Sequence, residues 1–420
     1  MTKIPGKLSV GLVLLILGFT TLNHKQSAFT DVAITLPAGF TAETVVQTLG
    51  SNRHLAVNSN GDVYVKLSKL KDGKGIFVLR KKGGAFEVIN SFGNYTGTGI
   101  AIKNGYLYAS SDDEVFRYKF NANNEIADGN NPEKIVTGLL SKGQHASKSI
   151  ALDNTGNIYV NIGAPSNACQ VKDRSSGSPG QDPCPILANA GGIWQFKVNK
   201  LNQSYAEGVR YATGLRNVVG LDWNSKEDHL FVMQHGRDQL SQFFPDMYSN
   251  EENAELPAEE FFMLKKGSDC GWPYCYYDGV QKKKLLGPEF GGDGKKQDRC
   301  AGKEQPIMSF PAHWGPNAVV FYTGKMFPEK YKNGAFIAFH GSWNRTPQKQ
   351  AGYNVVFVPF KNGKPSGNYE IFANGFTGKE SINGPGQAKY RPCGLAQGPD
   401  GALYISDSRE GRIWKIGYGQ

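Results

Sequence analysis

The side chains best suited to chemistry lie in separate segments, each ahead of an apolar, strand-like stretch. His145, the pair Arg216-Asn217 and Arg391 occupy three such places. A neutral imidazole can act as a general base, and guanidinium groups bind carboxylates bidentately. With Lys389 nearby, this set suits a multiply anionic ligand. The alternatives are a loop histidine with local hydrogen bonds and arginines in structural salt bridges.

Further segments supply carbonyl oxygens and aromatic rings. The segment 234–239 contains Gly236 and Arg237 at the end of a strand-like stretch, where loop carbonyls would suit a hard cation. Trp314 and Trp343 lie beside histidines and would stack on a sugar or a planar cofactor, or else pack at the edge of a sheet. The sequence has no GxSxG, Walker or HExxH motif, which argues against those hydrolase and nucleotide-binding classes.

A repeated strand-turn-strand motif predicts where these segments lie in the fold. Most copies join an apolar strand through an Asn-Gly or Asp-Gly type turn to a Tyr/Val/Ile strand, as a β-hairpin does. Six copies occur, at residues 55–65, 100–108, 150–160, 220–232, 331–339 and 394–405.

The hairpins predict an all-β, six-bladed β-propeller, because several are followed by an outer strand and a closing phrase such as Thr213-Gly-Leu. No helical period longer than three turns is expected after the N-terminal region. The long insertions, 161–191 and 236–320, predict a functional face around the channel. Residues at the start of inner strands should meet there.

Composition narrows the class of protein. The chain has 420 residues, of which 39% are hydrophobic and 20% charged, which excludes disordered, collagen-like and multi-span membrane classes. The net charge of +10 is not concentrated in a basic run, so no nucleic-acid partner is expected. The excess fits an acidic small molecule, an anionic membrane surface or an ordinary solvated surface.

The N-terminus has the pattern of an export signal. Lys3 and Lys7 precede an apolar stretch at residues 8–22, short for a spanning helix. We expect residues 1–28 to be a signal peptide or an N-terminal membrane anchor, and residues 29–420 to form a single propeller. The predicted location is periplasmic or extracellular, with membrane association if the segment is retained.

The six cysteines indicate disulfides in an oxidising compartment. Sequence proximity favours Cys169 with Cys184 and Cys270 with Cys275, leaving Cys300 to pair with Cys393. The chain has no CxxCH motif and therefore no c-type haem site of its own.

Several motifs in order resemble the glucose/sorbosone dehydrogenase family of soluble quinoproteins. They include His145 before Ser-Ile-Ala-Leu, Tyr211-Ala-Thr-Gly-Leu-Arg-Asn, Gly271-Trp-Pro-Tyr, His340-Gly-Ser-Trp-Asn-Arg and Lys389-Tyr-Arg. The resemblance extends from about residue 35 to the C-terminus. It implies a six-bladed propeller that holds pyrroloquinoline quinone (PQQ) and Ca²⁺ in its channel and oxidises an aldose or sugar aldehyde.

The resemblance also implies roles for individual residues. His145 resembles the general base, and Arg216, Asn217 and Arg391 resemble the groups that hold PQQ. Lys389 stands where glucose-type enzymes have another arginine, and Arg345 is the expected replacement for their PQQ-contacting lysine. Backbone carbonyls of Gly236 and Arg237 would bind the calcium.

Two departures favour the sorbosone-type branch over a true glucose enzyme. Gln144 and Ala164 occupy positions where glucose-type members carry carboxylates, so no acid is expected to orient His145 and its tautomer should be less firmly fixed. An external electron acceptor, either a cytochrome or a quinone, is required. The alternatives are a calcium-dependent lactonase on the same fold and a redox-inactive propeller that binds a glycan or a protein.

Overall fold

The computed structural model describes residues 1–2 and 34–419. Within residues 34–419, six sheets of four or five strands form a closed ring, so the predicted six-bladed β-propeller is confirmed. The strands are antiparallel except for the outermost strand of each five-stranded sheet, which pairs parallel. The expected signal or anchor segment, residues 8–22, and the boundary after residue 28 lie outside the described residues.

Each blade is listed here from its innermost strand outward. Blade 1 contains Asn52–Val57, Val63–Lys71, Lys74–Lys82 and Ala85–Phe92. Blade 2 contains Ile100–Lys103, Tyr106–Ser110, Val115–Lys119, Glu133–Thr137 and Gln203–Ser204. Blade 3 contains Ile150–Leu152, Asn157–Ile162, Gly192–Lys197, Val209–Thr213 and Ser268–Asp269. Blade 4 contains Val218–Asn224, His229–Gln234, Glu259–Leu264 and Met308–Phe310. Blade 5 contains Pro316–Phe321, Ala335–Phe339, Asn354–Val358 and Glu370–Ala373. Blade 6 contains Pro392–Gln397, Leu403–Asp407, Ile413–Tyr418 and Phe40–Val46.

The remaining elements are short and lie mostly in the insertions. Two hairpins pair Cys275–Asp278 with Lys283–Leu286 and Phe360–Lys361 with Lys364–Pro365. The α-helices of the described residues are Leu240–Phe243 and Asn250–Glu255. The 3-10 turns are Pro185–Ala188, Tyr205–Glu207, Pro288–Phe290, Asp298–Gly302, Glu329–Tyr331 and Pro385–Gln387. No long helix forms in this part of the chain, as the sequence predicts.

The repeated hairpins form the two inner strands of their blades. The turn glycines Gly61, Gly105, Gly156 and Gly401 have φ values of +87°, +78°, +85° and +87°. This left-handed region costs glycine little, because glycine has no Cβ. Apolar side chains of the inner strands then pack between neighbouring blades, as in the cluster of Ile158, Val160 and Ile162.

The fifth copy of the repeat, predicted at residues 331–339, lies one strand later than the inner strand of its blade. Residues 331–339 contain only the second strand of blade 5, whose inner strand is Pro316–Phe321. The two strands are joined by a long connection that ends at Asn333-Gly334. Gly334 is needed for packing, because a Cβ there would lie 2.3 Å from the ring of Phe357.

The N-terminal strand closes the ring. Phe40–Val46 pairs antiparallel with Ile413–Tyr418 and becomes the outermost strand of blade 6. The first described strand of the propeller and the last one therefore belong to a single sheet. This pairing holds the two ends of residues 34–419 together without a covalent link.

A candidate active site on the propeller axis

A cavity of about 560 Å³ lies at one end of the channel and receives side chains from all six blades. One residue per blade illustrates its construction: Arg53, Asp112, His145, Arg216, Asn317 and Arg391. Most of them stand at or just before an inner strand, since these strands surround the axis. The structure thus brings together segments that are far apart in the sequence.

His145 has a neutral imidazole with one free ring nitrogen. Its Nδ1 lies 2.6 Å from the carbonyl oxygen of Ala164, and a carbonyl can only accept, so Nδ1 carries the hydrogen. Nε2 is left with its lone pair and has no hydrogen-bond partner in the described part of the chain. Burial, reinforced by the positive charge of Arg216, lowers the pKa of His145 to about 3. The imidazole is therefore neutral and able to accept a proton above about pH 4.

A backbone carbonyl takes the role of the absent orienting acid. The sequence predicts a loosely fixed tautomer because residue 164 is alanine, but the Ala164 carbonyl fixes it instead. The side chain of Gln144 does not bond to His145. It donates to Asp173 at 2.7 Å and accepts from Arg174 at 2.9 Å. With glutamine rather than a carboxylate at residue 144, no negative charge lies at this position. His145 is still oriented by the Ala164 carbonyl.

Close packing also sets the position of His145. Its backbone has φ of +61°, which is uncommon for a residue with a side chain. Gly163 lies against it, so that a Cβ on Gly163 would be 2.6 Å from both the Cβ and the carbonyl oxygen of His145. The same Cβ would lie 3.1 Å from Oδ1 of Asn217, so this glycine allows both residues to approach.

Asp238 connects Arg216 to the inserted loops. It accepts from Arg216 Nη2 at 2.7 Å, from Arg174 Nη2 at 3.0 Å and from Asn344 Nδ2 at 3.0 Å. Burial alone would raise the pKa of Asp238, but Arg216, His313 and Arg174 lower it to about 2. Asp238 is therefore a permanent anion that neutralises part of the positive charge of the wall. Removing one partner of such a buried pair typically costs 3–5 kcal/mol.

Arg53 and Arg391 are cationic wall residues that, among the described residues, form no ion pair with a carboxylate. Nε of Arg53 donates to Thr98 Oγ1 at 3.1 Å. Arg391 donates to the carbonyl oxygens of His340 at 3.0 Å and Gly341 at 2.7 Å. Both guanidinium groups thus retain their full charge beside the cavity, which suits a ligand with several carboxylates.

Glu259 is a buried carboxyl group in the same wall. Its two oxygens accept from the backbone N–H groups of Gly236 at 2.8 Å and Gly315 at 3.0 Å. Burial raises the pKa of Glu259 to about 7, although these two hydrogen bonds act in the opposite direction. The charge of the wall therefore changes near neutral pH.

Three other histidines line the cavity: His235, His313 and His340. The Nε2 of His235 donates to the carbonyl of Pro316 at 2.8 Å, and the Nε2 of His313 donates to that of Asn253 at 2.7 Å. The Nε2 of His340 lies 2.6 Å from Ser408 Oγ. In all three histidines Nε2 takes part in a hydrogen bond within the protein, whereas the Nε2 of His145 is free.

The structure brings only part of the predicted set to the cavity. His145, Arg216, Asn217, Gly236 and Arg391 line it.

Three predicted residues lie elsewhere. Arg345 is buried, and donates to the carbonyl of Ala254 and to Glu255, both at 2.5 Å. Arg237 forms a buried ion pair of 2.5 Å with Glu289, and Lys389 is exposed. Arg345 and Lys389 therefore do not line the cavity. The prediction for Arg237 concerned its backbone carbonyl, which the position of its side chain does not test.

One of the two carbonyls predicted to bind calcium accepts a hydrogen bond from a guanidinium group. The carbonyl of Gly236 accepts a 2.9 Å hydrogen bond from Arg216 Nη1. Within residues 34–419, no group of three or more His, Cys, Asp or Glu side chains is placed to hold a metal ion. A cation at Gly236 would therefore depend on backbone carbonyls, and the Gly236 carbonyl is already used by Arg216.

Of the three predicted disulfides one is confirmed and two are wrong. Cys169 pairs with Cys184, but Cys275 pairs with Cys300, leaving Cys270 and Cys393 free and buried. Proximity in sequence misled the assignment, because Cys270 points into the core between blades 3 and 4. Cys393 lies on the inner strand of blade 6, with its Sγ 3.7 Å from Asn317. The two bridges formed fix the inserted loops and are consistent with export.

Sequence reasoning missed Arg53 and Arg174. Arg53 lies at the start of the inner strand of blade 1, so the rule that selected Arg216 and Arg391 would also have found it. Arg174 lies in the insertion closed by Cys169–Cys184, and no periodic signal places it. It reaches the cavity because it bonds to Asp238 and Gln144.

Comparison with known proteins gives a consistent family. The sequence model of the TrAA12-like family matches residues 34–418. An uncharacterized protein of Borreliella burgdorferi is 27% identical over 332 residues, 76% of this chain and 75% of that protein. A pyrroloquinoline quinone-dependent sugar dehydrogenase of Hypocrea jecorina is 22% identical over 440 residues, 96% of this chain and 95% of that protein.

A solved structure has the same fold. The holo form of the pyranose dehydrogenase PQQ domain from Coprinopsis cinerea superimposes with a TM-score of 0.72 at 20% identity, covering 92% of this chain and 97% of that one. In the part of this chain that the structure describes, no helix has the length and apolar character needed to cross a membrane.

Proposed function

Because the chain belongs to the TrAA12-like family, we propose that it is a PQQ-dependent dehydrogenase that oxidises an aldose or a sugar aldehyde. One observation carries the proposal. The guanidinium groups of Arg53 and Arg391, which have no carboxylate partner in the described chain, line the same cavity as the free Nε2 of His145. Anion binding and proton abstraction are thus available in one place.

The donor set fits PQQ, a planar quinone with three carboxylates. Arg53, Asn217 and Arg391 are the groups that would hold it, with Arg216 kept in place by Asp238. When bound, PQQ supplies the two-electron acceptor for the hydride equivalent that leaves the substrate carbon. An external cytochrome or quinone would then collect the electrons.

His145 would take the proton of the substrate hydroxyl. Its neutral imidazole offers Nε2, while the Ala164 carbonyl stabilises the Nδ1–H tautomer and the imidazolium that forms. Loss of this proton and of the hydride equivalent from the same C–OH unit leaves a carbonyl group. An aldose gives a lactone in this way, and a hydrated aldehyde such as sorbosone gives a carboxylic acid.

Calcium at the carbonyls of Gly236 and Arg237 remains a prediction. A cation there would have to share the Gly236 carbonyl with Arg216 or displace it. Export to the periplasm or the extracellular space, with or without an anchor at residues 8–22, is proposed on the N-terminal sequence and on the two disulfides.

The direct test is a titration of purified, chelator-treated protein with PQQ, with and without Ca²⁺. Binding is followed by absorbance, and turnover by dye reduction with a panel of aldoses, aldehydes and polyols. Tight uptake with turnover on a sugar is expected. A folded protein that takes up no PQQ would contradict the proposal.

Two variants separate binding from chemistry. We expect His145→Gln to keep its affinity for PQQ and to lose turnover by about 10²- to 10⁴-fold. His229→Gln, a substitution outside the cavity, is the matched control. Arg391→Gln should weaken PQQ binding by about ten-fold or more, whereas Arg299→Gln, in an exposed ion pair with Asp182, should not. Full turnover in His145→Gln would show that His145 is not the general base.

A further inference from the structure

Trp343 is an exposed aromatic side chain at the wall of the axial cavity. Its relative exposure is 53%, the largest among the tryptophans of residues 34–419. It lines the same cavity as His145 and Arg391, and its indole N–H has no hydrogen-bond partner in that part of the chain. An indole left in this position gives up the free energy that its burial would contribute.

The residues on both sides of Trp343 are held in place by side-chain hydrogen bonds. The Oγ of Ser342 donates to Gln350 at 2.7 Å and accepts from the backbone N–H of Ala351 at 2.9 Å. Asn344 donates to Asp238 at 3.0 Å, which fixes the other side of Trp343 to the cavity wall.

The anchoring continues on the C-terminal side. Arg345 donates to the carbonyls of Ala254 at 2.5 Å and Ala312 at 3.1 Å, and it forms an ion pair with Glu255. The buried Arg345 therefore anchors this loop rather than contacting a ligand. The loop is thus held by hydrogen bonds on both sides of Trp343, whose own side chain forms none within residues 34–419.

We propose that Trp343 is the stacking surface for the sugar ring of the substrate. The C–H face of a pyranose is apolar while its hydroxyl groups are polar, and an indole presents a flat apolar face of matching size. The guanidinium groups at the inner strands would bind the carboxylates of the anionic cofactor. The exposed indole is therefore available to the neutral sugar. A fixed backbone lowers the entropy lost on binding. This inference rests on the proposed function.

The test compares Trp343→Ala and Trp343→Phe with the wild type, using PQQ-loaded protein and the pyranose that is turned over best. We expect Trp343→Ala to raise KM by about ten-fold, with kcat changed by less than about three-fold and the Kd for PQQ unchanged. Trp343→Phe should recover part of the KM. Ile371→Ala, which removes an exposed apolar side chain from the outer strand of blade 5, is the matched control.

A second measurement does not depend on turnover. The methyl glycoside of the same pyranose, which cannot be oxidised at C1, is titrated calorimetrically into the wild type and into Trp343→Ala, after thermal unfolding has shown both to be folded. Binding that is about ten-fold weaker in the variant supports the stacking contact.

The possible results distinguish a failure of this inference from a failure of the proposed function on which it rests. If the wild type oxidises no sugar, the proposed function fails and the inference fails with it. If the wild type oxidises a sugar but KM and glycoside binding are the same in Trp343→Ala, only the inference is overturned. A loss of PQQ affinity as large as the loss of sugar affinity would also overturn it, because Trp343 would then serve the cofactor.

Discussion

At the scale of single residues, the chemistry of the cavity depends on how charges are paired. Asp238 neutralises Arg216 and is shared with Arg174, while Arg53 and Arg391 keep their charge for a ligand. His145 is kept neutral by burial and by Arg216, and a carbonyl fixes its tautomer. The proposed anion-binding site thus coexists with an imidazole that remains unprotonated.

The first prediction concerns Glu259. Burial raises its pKa from 4.5 to about 7, so between these values the folded protein holds a proton that the unfolded chain has released. The contribution of Glu259 to stability therefore falls as the pH rises through this range. Its ionisation also adds a negative charge to the wall. We expect the Kd for PQQ to rise by about ten-fold between pH 6 and pH 8.

Glu259→Gln should flatten this dependence, as measured by PQQ titration at several pH values. Asp238, with a pKa of about 2, keeps its charge throughout and does not contribute to the change. Glu87→Gln, at an exposed position of blade 1, is the control and should follow the wild type. The same steep dependence in Glu259→Gln would show that another group titrates.

At the scale of elements, short connections place the reactive side chains. The loop before the inner strand of blade 3 carries His145, and the end of the next strand carries Gly163 against it. A disulfide between Cys169 and Cys184 closes the insertion that follows, from which Arg174 reaches Asp238. The position of His145 therefore depends on how closely two loops of one blade can approach.

The second prediction is that Gly163→Ala impairs the active site more than the fold. The added Cβ would lie 2.6 Å from the backbone of His145, so the loop must move. A displacement of about 1 Å can cost 10²-fold in rate, and we expect turnover to fall by at least ten-fold. Gly302→Ala is the control, because a Cβ there meets nothing within 4 Å. Kinetics and thermal unfolding of both variants check this, and normal turnover in Gly163→Ala would contradict it.

At the scale of the whole molecule, the ring is held closed by the pairing of Phe40–Val46 with Ile413–Tyr418. The ring of Phe40 packs edge-to-face against Phe327 at 4.8 Å, Phe372 at 4.9 Å and Tyr418 at 4.8 Å. These contacts join blade 6 to blade 5. A cavity built from six blades keeps its shape only while this junction is closed.

The third prediction is that Phe40→Ala destabilises the protein by about 2–4 kcal/mol, since it removes a half-buried ring at the closure. Denaturant unfolding, followed by tryptophan fluorescence, measures the change. Val88→Ala, at an exposed position of the outer strand of blade 1, should stay within about 0.5 kcal/mol of the wild type. Equal midpoints for the two variants would show that the closing strand does not limit stability.

The sequence by itself determined the propeller, because strand patterns recur six times and turn glycines mark most of the copies, and both are local signals. It also determined which blades supply His145, Arg216 and Arg391, since the start of an inner strand always lies near the axis. The resemblance inferred from the motifs is confirmed at the level of the family. The fold and the placement of these residues needed only periodicity and spacing, which neighbouring residues encode, whereas the family resemblance rested on several motifs in order.

Only the tertiary structure decided the finer arrangement. Cys275 pairs with Cys300 because side-chain direction, rather than distance along the chain, selects a partner. Arg345 is directed away from the cavity by Glu255 and two carbonyls, and the Ala164 carbonyl orients His145 in place of a carboxylate. Each outcome depends on contacts between segments far apart in sequence, whose relative positions no local pattern specifies.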